Sequence, residues 1–503
     1  MEPVFELNLS LPDRGSRRLL HELHTQLKAA ILDGRLRPGL RLPSTRMLAE
    51  QHSVSRNTAV AAYDLLLSEG YVTSRAGAGN YVSDLIPAMS SKPAARIEPA
   101  NDLRLNPYSR GLAGRPPVPL KWRAKFDFEV GVPDTSQFRF DLWDRLSTRS
   151  IRALSRGPVR YGSSQGHYRL RAAIAQHVSF SRAVACSADS IVVTNGSQQA
   201  FDLLARTLVT PGKTTVAVES PGYVPTQAAL AAAGAKIVPL RVDDEGMCID
   251  EIPSEARVVS VTPSHQFPLG CVLSASRRAA LIEFARKHKA VVIEDDYDGE
   301  FRFGGRPLDA LQTLDRSESV FYVGTFTKSL FPALRIGYVV APPWAVPALV
   351  AAKYRADRHC DVLVQATLTA FITEGHLARH VRKMRSVYAE RRQRLCDCLE
   401  TDFGQWLRPV PGTAGLHLAA LALPGVDPEA IVEAARLEGI HVHSLRTYDG
   451  GCSGPPGLLF GYGAINVEGI DEGLARLRRV MLGLVDAHAL HDAIDAATME
   501  NKP

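Results

Sequence analysis

The sequence predicts a multidomain protein, with a small helical domain that ends in a β-hairpin and a large α/β domain with a mostly parallel sheet. The chain has 503 residues, a length that favours more than one domain. Residues 16–83 carry short helical patterns and two strand-like runs, whereas apolar strands alternate with helical stretches from residue 126 onward. Residues 85–125 between them are rich in proline, alanine and arginine. We therefore expect a small helical domain over 1–84, a linker over 85–125, the α/β domain over 126–490 and a disordered tail over 491–503.

Composition narrows the class of protein. Apolar residues make up 45% of the chain and charged residues 22%, which is ordinary for a globular protein. The sequence has no apolar run near the roughly 18 residues that span a bilayer, and its start, "MEPVFELNLSLPDRG", lacks the apolar core of a signal peptide. The seven cysteines are scattered and odd in number. These features predict a reduced, cytoplasmic protein without a membrane partner.

Positive charge is concentrated at the N-terminal end. The net charge is +6, but residues 1–125 hold 18 basic and 11 acidic residues, a balance of +7, and the remainder of the chain is at −1. Such an imbalance indicates an anionic partner for the N-terminal domain.

The N-terminal pattern contains three helices. Ser16, Ser44 and Ser55 stand where helix N-caps are expected. Gly34 and Gly70 are placed to end the first and third helices. The second and third helices, separated by a short turn, are typical of a helix-turn-helix, whose second helix lies in the major groove of DNA.

The third helix is the expected reading helix. Its inward positions would be Val60, Tyr63, Leu66 and Leu67, and glycines at the hairpin tip would allow close approach to DNA. The alternative is a small helical cap whose arginines are only solvated. The candidate DNA-binding residues are Arg46, Ser55, Arg56, Asn57, Thr58, Gly77 and Gly79.

The stretch "AAILDGRLRPGLRLPSTRMLAEQHSVSRNTAVAAYDLLLSEGYVTSRAGAGNYV" resembles a GntR-type winged helix-turn-helix over nearly its whole length. The family usually has Leu-Gly where this chain has His52-Ser53, a change confined to the turn between helices. The resemblance implies a double-stranded DNA operator as partner.

The stretch "YVGTFTKSLFPALRIG" places Lys328 four residues after a glycine that ends a strand-like run. Burial lowers the pKa of a lysine amine, and the neutral amine can form a Schiff base with an aldehyde cofactor. Pyridoxal 5'-phosphate (PLP) also needs an anion beside its pyridine nitrogen, a phosphate cradle and a stacking group.

Candidates for these roles follow successive predicted strands. Asp295 lies near the end of the strand-like run "AVVIEDD" and would hold the ring nitrogen protonated, and Tyr297 could donate a hydrogen bond to the ring hydroxyl. Tyr223 in "ESPGY" offers a ring for stacking. Each residue type also has an ordinary structural use, so only their order along the strands indicates one crevice. The phosphate candidates are Gly196, Ser197 and Gln198 at a helix N-terminus, together with Thr325 and Arg335.

Residues 126–480 resemble fold-type I PLP enzymes of the aspartate aminotransferase class, and the whole chain resembles the MocR/GabR group of bacterial regulators. The resemblance rests on "YGSSQGHYRLR", "TPSHQFPLG", "IEDDYDGEF" and "GTFTKSLFPALRIGY". It implies that Lys328 forms the Schiff base, that Asp295 pairs with the ring nitrogen, that Tyr297 meets the ring oxygen and that Tyr223 stacks. It also implies a head-to-tail homodimer, with Tyr161 reaching the cofactor phosphate of the partner chain.

Two departures from catalytic aminotransferases bear on activity. Their Asn-Pro-x-Gly is "FPLG" here, and the stretch "GPPGLLFGYGAIN" lacks the arginine that grips a substrate carboxylate. Arg446, from a neighbouring loop, is a candidate substitute for that arginine, and His265 and Gln266 could line the pocket.

We therefore interpret the chain as a PLP-dependent transcriptional regulator, not an enzyme, with no metal. Its effector would be PLP itself or an amine that exchanges at the cofactor. One alternative is a working aminotransferase with an accessory DNA-binding domain. The other keeps the DNA-binding domain and treats the large domain as a scaffold without cofactor.

Overall fold

The structure is a computed structural model that divides into two compact units, Met1–Pro116 and Pro117–Pro503. It describes residues 9–12, 16, 18–75, 78–84, 103–105, 109–110, 124–158, 160–304, 308–449 and 454–500, with side chains as far as residue 484. Most of the expected linker, 85–125, lies outside the described residues.

The first unit is a three-helix domain with a small β wing, as the sequence predicts. Its core consists of apolar side chains from all three helices, with Leu23, Leu27, Leu48 and Leu66 fully buried. The two wing strands pair antiparallel. The elements are α1 (Leu19–Leu32), α2 (Thr45–Gln51), α3 (Arg56–Ser68), β1 (Val72–Arg75) and β2 (Gly79–Val82).

Two of the three expected caps are confirmed. The Ser44 hydroxyl accepts a hydrogen bond from the Met47 N–H at 3.2 Å, and the Ser55 hydroxyl accepts one from the Thr58 N–H at 3.0 Å. The expectation for Ser16 is wrong, because α1 begins at Leu19 with Arg18 at its N-cap.

The inward face of α3 also differs from expectation at one position. Val60 is 37% exposed, whereas Ala59, Ala62, Tyr63 and Leu66 are buried. These four follow the i, i+3, i+4, i+7 spacing of one helix face, and Val60 lies one step off that face.

The second unit is an α/β domain. Its helices are α4 (Phe140–Leu154), α5 (Tyr168–Arg182), α6 (Gly196–Leu208), α7 (Val224–Ala232), α8 (Ala275–His288), α9 (Val346–Ala356), α10 (Val362–Thr373), α11 (His376–Asp402), α12 (Pro428–Leu437) and α13 (Val467–Glu500). Its strands are β3 (Phe126–Asp127), β4 (Ile191–Thr194), β5 (Thr215–Ser220), β6 (Lys236–Asp243), β7 (Gly246–Met247), β8 (Ala256–Val261), β9 (Val291–Asp296), β10 (Val320–Thr325), β11 (Gly337–Val340), β12 (Leu407–Pro409), β13 (His417–Ala422), β14 (Ile440–His441), β15 (His443–Ser444) and β16 (Gly457–Gly461).

The large sheet has the strand order β4-β11-β10-β9-β8-β5-β6-β7. Strands β6, β5, β8, β9 and β10 are mutually parallel, and β11 runs antiparallel to both of its neighbours. The carboxyl ends of the parallel strands therefore meet at one edge, where open α/β sheets bind ligands. A second sheet, β12-β13-β16-β15, is antiparallel, and the short strands β3 and β14 pair separately.

Burial explains why the central strands read as continuous apolar runs. Every residue of β4, β5, β10 and β11 is buried, as expected of strands covered on both faces. The last helix, α13, has a helical backbone through Glu500 and so extends into 491–503, the segment expected to be disordered. Across the described residues, none of the helices is long and apolar enough to cross a bilayer.

Candidate functional site

A cavity of about 240 Å³ opens at the carboxyl edge of the parallel strands. The structure brings together here eight of the residues singled out from the sequence: Ser197, Gln198, Tyr223, Asp295, Tyr297, Thr325, Lys328 and Arg335. The remaining lining residues are Val130, Gly131, Pro225, Phe267, Thr327 and Tyr448.

Lys328 lies three residues beyond the end of β10. Its Nζ donates a hydrogen bond to the Gly131 carbonyl at 2.7 Å. Gly131 has φ +71°, and a Cβ there would stand 2.7 Å from Nζ, so both the backbone and the close approach favour glycine. Burial lowers the pKa of the Lys328 amine, with the charges of Asp298 and Asp295 opposing the shift. The neutral, nucleophilic form of the amine is therefore more populated than in a solvated lysine.

Asp295 is a second buried ionisable group of the cavity. It lies near the carboxyl end of β9, opposite Val323 on β10, and is 6% exposed. Burial raises the pKa of Asp295 well above its ordinary value, and the charges of Asp296 and Asp298 act in the same direction. A cationic N–H beside this carboxyl group would stabilise its ionised form.

The first turn of α6 and Arg335 lie side by side and are the candidate anion cradle. The helix begins at Gly196, which has φ +76°, and the Arg335 guanidinium donates to the Asn195 carbonyl at 3.2 Å. A Cβ at position 196 would lie 2.8 Å from Arg335 Nη2, so a side chain would occupy the cradle. Free N–H groups at a helix N-terminus beside a guanidinium suit a phosphate.

Three further polar side chains line the cavity. The Thr325 hydroxyl lies 3.0 Å from that of Thr327, and both line the cavity. The Gln198 amide donates to the Pro225 carbonyl at 3.3 Å, so this side chain also braces the start of α7.

A buried polar group supports Tyr297 from behind. Nδ1 of His265 lies 2.9 Å from the Tyr297 hydroxyl and 3.0 Å from the Asp298 carboxylate. Burial raises the pKa of Tyr297 well above its ordinary value, so its hydroxyl keeps its proton. His265 is buried and does not line the cavity, and the Gln266 amide donates to the Pro221 carbonyl at 2.8 Å. The sequence suggests both residues as candidates to line the pocket, but their side chains support the wall of the cavity instead.

The outer wall consists largely of aromatic rings. The ring of Phe267 meets that of Tyr448 edge to face with centroids 5.0 Å apart, and it meets Tyr223 in the same way at 5.5 Å. Sequence reasoning missed Tyr448, and it missed Val130 and Gly131, because none of them follows a strand of the large sheet. The sequence signal that could have identified Gly131 is the stretch "GVPD", in which a proline and an aspartate follow this glycine closely.

Tyr161 and Arg446 lie outside the cavity lining. The Tyr161 ring is 73% exposed and lies 3.8 Å from the Arg358 guanidinium. Arg446 is exposed, and Leu458 and Leu459 are buried in β16. Arg335, at the anion cradle, is the one arginine among the described residues that line the cavity.

The expected DNA-binding residues sit at the start of α3 and around it. Arg56 and Asn57 are exposed, Thr58 is half-buried, and Ser55 caps the helix. Arg46 is exposed in α2 and forms an ion pair with Glu50 at 3.4 Å. In the wing, Gly79 has φ +101°, a conformation that favours glycine. Gly77 lies outside the described residues.

The lysine, the buried carboxyl group, the anion cradle and the tyrosines fit the aldehyde, pyridine nitrogen, phosphate and ring of PLP. Comparison with protein families agrees with this chemistry. Residues 20–82 match the family "Bacterial regulatory proteins, gntR family", and residues 125–420 match "Aminotransferase class I and II".

Individual relatives match nearly the whole length of the chain. The chain is 38% identical to the probable rhizopine catabolism regulatory protein MocR of Rhizobium meliloti, over 97% of this chain and 98% of that protein. It is 31% identical to the pyridoxine biosynthesis transcriptional regulator PdxR of Corynebacterium glutamicum, over 93% of this chain and 96% of that protein.

The large domain also has relatives among solved structures. LysN, the α-aminoadipate aminotransferase of Thermus thermophilus solved with N-(5'-phosphopyridoxyl)-L-leucine, superposes with a TM-score of 0.67 at 27% identity. The match covers 72% of this chain and 93% of that chain. The chain therefore belongs to the MocR-type family of bacterial transcriptional regulators, in which a GntR-type DNA-binding domain precedes a fold-type I aminotransferase-like domain.

Proposed function

We propose that this regulator binds PLP at Lys328 and that the cofactor, or an amine reacting with it, controls binding of the DNA-binding domain to its operator. One observation carries the proposal. A nucleophilic lysine, a buried carboxyl group and an anion cradle surround a single cavity in a chain that also holds a winged helix-turn-helix. When bound, PLP supplies an electrophilic carbon that captures amines.

The candidate cofactor-binding residues at and beside the cavity have one task each in this proposal. Lys328 attaches the cofactor covalently, and Asp295 pairs with the protonated pyridine nitrogen. Tyr223 stacks on the ring, and Tyr297 donates a hydrogen bond to the ring oxygen. The phosphate is held by Gly196, Ser197, Gln198, Thr325 and Arg335.

The cavity wall favours an effector recognised without a carboxylate clamp. Arg335 is committed to the anion cradle, and the outer wall is formed by Phe267, Tyr448 and Val130. A carboxylate without a bidentate guanidinium forgoes about 1.5–3 kcal/mol of charged hydrogen bonding. PLP itself or a simple amine therefore suits the site better than an ordinary amino acid, and we do not favour sustained aminotransferase activity.

We also propose that the regulator acts as a head-to-tail homodimer in which Tyr161 reaches the phosphate bound by the partner chain. The high exposure of the Tyr161 ring supports a role outside its own chain. Control of DNA binding then requires that the ligand bind one arrangement of the dimer more tightly than the other.

The test measures operator affinity by fluorescence anisotropy, using an operator selected from genomic fragments. Cofactor-free protein is compared with protein loaded with PLP, alone and with a panel of amines. We expect PLP or an amine to change the affinity at least fivefold, within the usual range of coupling between sites.

Lys328→Ala should abolish this change, while Lys213→Ala, which removes an exposed lysine, should preserve it. Unchanged operator affinity under every condition, or the same change in Lys328→Ala, would contradict the proposed function.

A further inference from the structure

A group of histidines and carboxylates lies beside the cavity, on short strands outside the large sheet. Strands β3 and β14 pair in parallel, with Asp127 opposite His441. Two residues further along each chain segment stand Glu129 and His443. Because alternate residues of an extended strand point to the same side, the four side chains face one another.

The donor atoms of three of these side chains are close enough to share one ion. Nδ1 of His441 lies 3.3 Å from one Glu129 carboxylate oxygen, and Nε2 of His443 lies 3.4 Å from the other. One donor atom from each of the three residues lies within 4.8 Å of the others. Tetrahedral coordination with Zn–N and Zn–O bonds of about 2.05 Å separates ligand atoms by about 3.3 Å.

His443 supplies a second observation. Its Nε2 is buried and makes no hydrogen bond, although Glu129 is only 3.4 Å away. The nitrogen and the carboxylate oxygen are therefore close without being aligned for donation. A metal ion bound by both groups would give this nitrogen the partner that it lacks.

We infer that Glu129, His441 and His443 form a binding site for a divalent transition-metal ion of the Zn²⁺ class. Two imidazoles with one carboxylate select such ions over Mg²⁺ and Ca²⁺, which prefer oxygen ligands alone. The partial exposure of the Glu129 carboxylate leaves room for water as a fourth ligand. Asp127, 2.9 Å from Nδ1 of His441, is the partner that this histidine exchanges for the metal.

The metal site would tie two walls of the cavity together. Glu129 immediately precedes Val130 and Gly131, and the Gly131 carbonyl accepts the hydrogen bond from Lys328. On the other side, Nδ1 of His443 lies 3.2 Å from the Tyr448 hydroxyl. With Nε2 on the metal, Nδ1 carries the proton and donates it to the Tyr448 oxygen, which fixes the orientation of that lining residue.

The test is a Zn²⁺ titration of the full-length, cofactor-free protein by calorimetry, with metal content measured after gel filtration. We expect one Zn²⁺ per chain. Glu129→Gln and His443→Gln should each weaken Zn²⁺ binding at least tenfold. The two residues lie in separate segments of the chain, so either variant that melts like the wild type decides the result.

His376→Gln is the matched control. Its imidazole nitrogen also lies 3.4 Å from a carboxylate oxygen, that of Glu374, but as a simple ion pair. Zn²⁺ binding should survive this change. Absence of Zn²⁺ from the wild type, or equal Zn²⁺ in all three variants, would overturn the inference. The visible spectrum of the Co²⁺-loaded wild type gives a further readout, and thiolate-to-metal charge transfer there would assign the ion to cysteines and overturn it as well.

Discussion

Replacement of Asp295 by alanine should weaken PLP binding strongly while leaving the fold of the large domain intact. The carboxyl group is 6% exposed near the carboxyl end of β9, so bulk water competes little with a ligand for it. Burial raises the pKa of Asp295, and a pyridinium N–H would restore the ionised form. The variant therefore loses a charged hydrogen bond that forms only in the bound state.

The magnitude follows from the kind of hydrogen bond that is lost. A hydrogen bond to a charged group contributes about 1.5–3 kcal/mol. At about 1.4 kcal/mol for each factor of ten, the dissociation constant for PLP should rise about 10- to 150-fold. Asp295→Asn, which keeps a polar partner but cannot ionise, should fall between the wild type and Asp295→Ala.

The assay is equilibrium dialysis against PLP, with thermal melting as a check on folding. Glu294→Gln is the matched control, because Glu294 is the preceding residue of β9, is fully buried, and accepts hydrogen bonds from the Leu311 and Gln312 N–H groups instead of facing the cavity. It should bind PLP like the wild type. Full retention of PLP by Asp295→Ala after dialysis would refute the role assigned to this carboxyl group.

Three further outcomes are expected. Arg56→Ala should weaken specific operator binding by about 1–3 kcal/mol in an anisotropy assay without changing PLP binding. Lys28→Ala, which removes a lysine already paired with a glutamate, should leave operator binding unchanged. Equal operator affinity in the two variants would refute the reading role of α3. Gly196→Ala should weaken PLP binding at least tenfold in dialysis, because a Cβ would lie 2.8 Å from the guanidinium of the anion cradle. Gly157→Ala, whose added Cβ meets open space, should have no effect. Unimpaired PLP binding by Gly196→Ala would argue against the cradle. Burial raises the pKa of Glu219 to about 7 from an ordinary value of 4.5, so the folded state loses stability as the pH rises from 4.5 to 7. The melting temperature of Glu219→Gln minus that of the wild type should therefore increase over this pH range and then stay constant. A difference in melting temperature that is independent of pH would contradict this.

Much of the cavity was predictable because its residues follow the strands of one sheet. Apolar runs end at or shortly before Asp295, Thr325 and Lys328. Parallel strands bring such ends to one edge of the sheet, regardless of the conformation of the loops. The start of α6 at Gly196 was equally readable, since a glycine and a serine follow a strand there.

The other wall of the cavity was not predictable in this way. Gly131 lies 197 residues from Lys328 in sequence, and neither it nor Tyr448 follows a strand of the large sheet. Their place depends on the packing of separate small strands, which local patterns do not encode. His265 shows a related gap, because the sequence does not reveal whether a polar loop residue faces the cavity or, as here, supports Tyr297 from behind.

Reduction of the PLP-loaded protein with borohydride, followed by peptide mapping, tests the central claim most directly. The reagent fixes the bond between a lysine and the cofactor, so the labelled residue can be identified by mass. We predict that the cofactor is found on the peptide that contains Lys328. A label on a different lysine, or no label after saturation with PLP, would contradict the account.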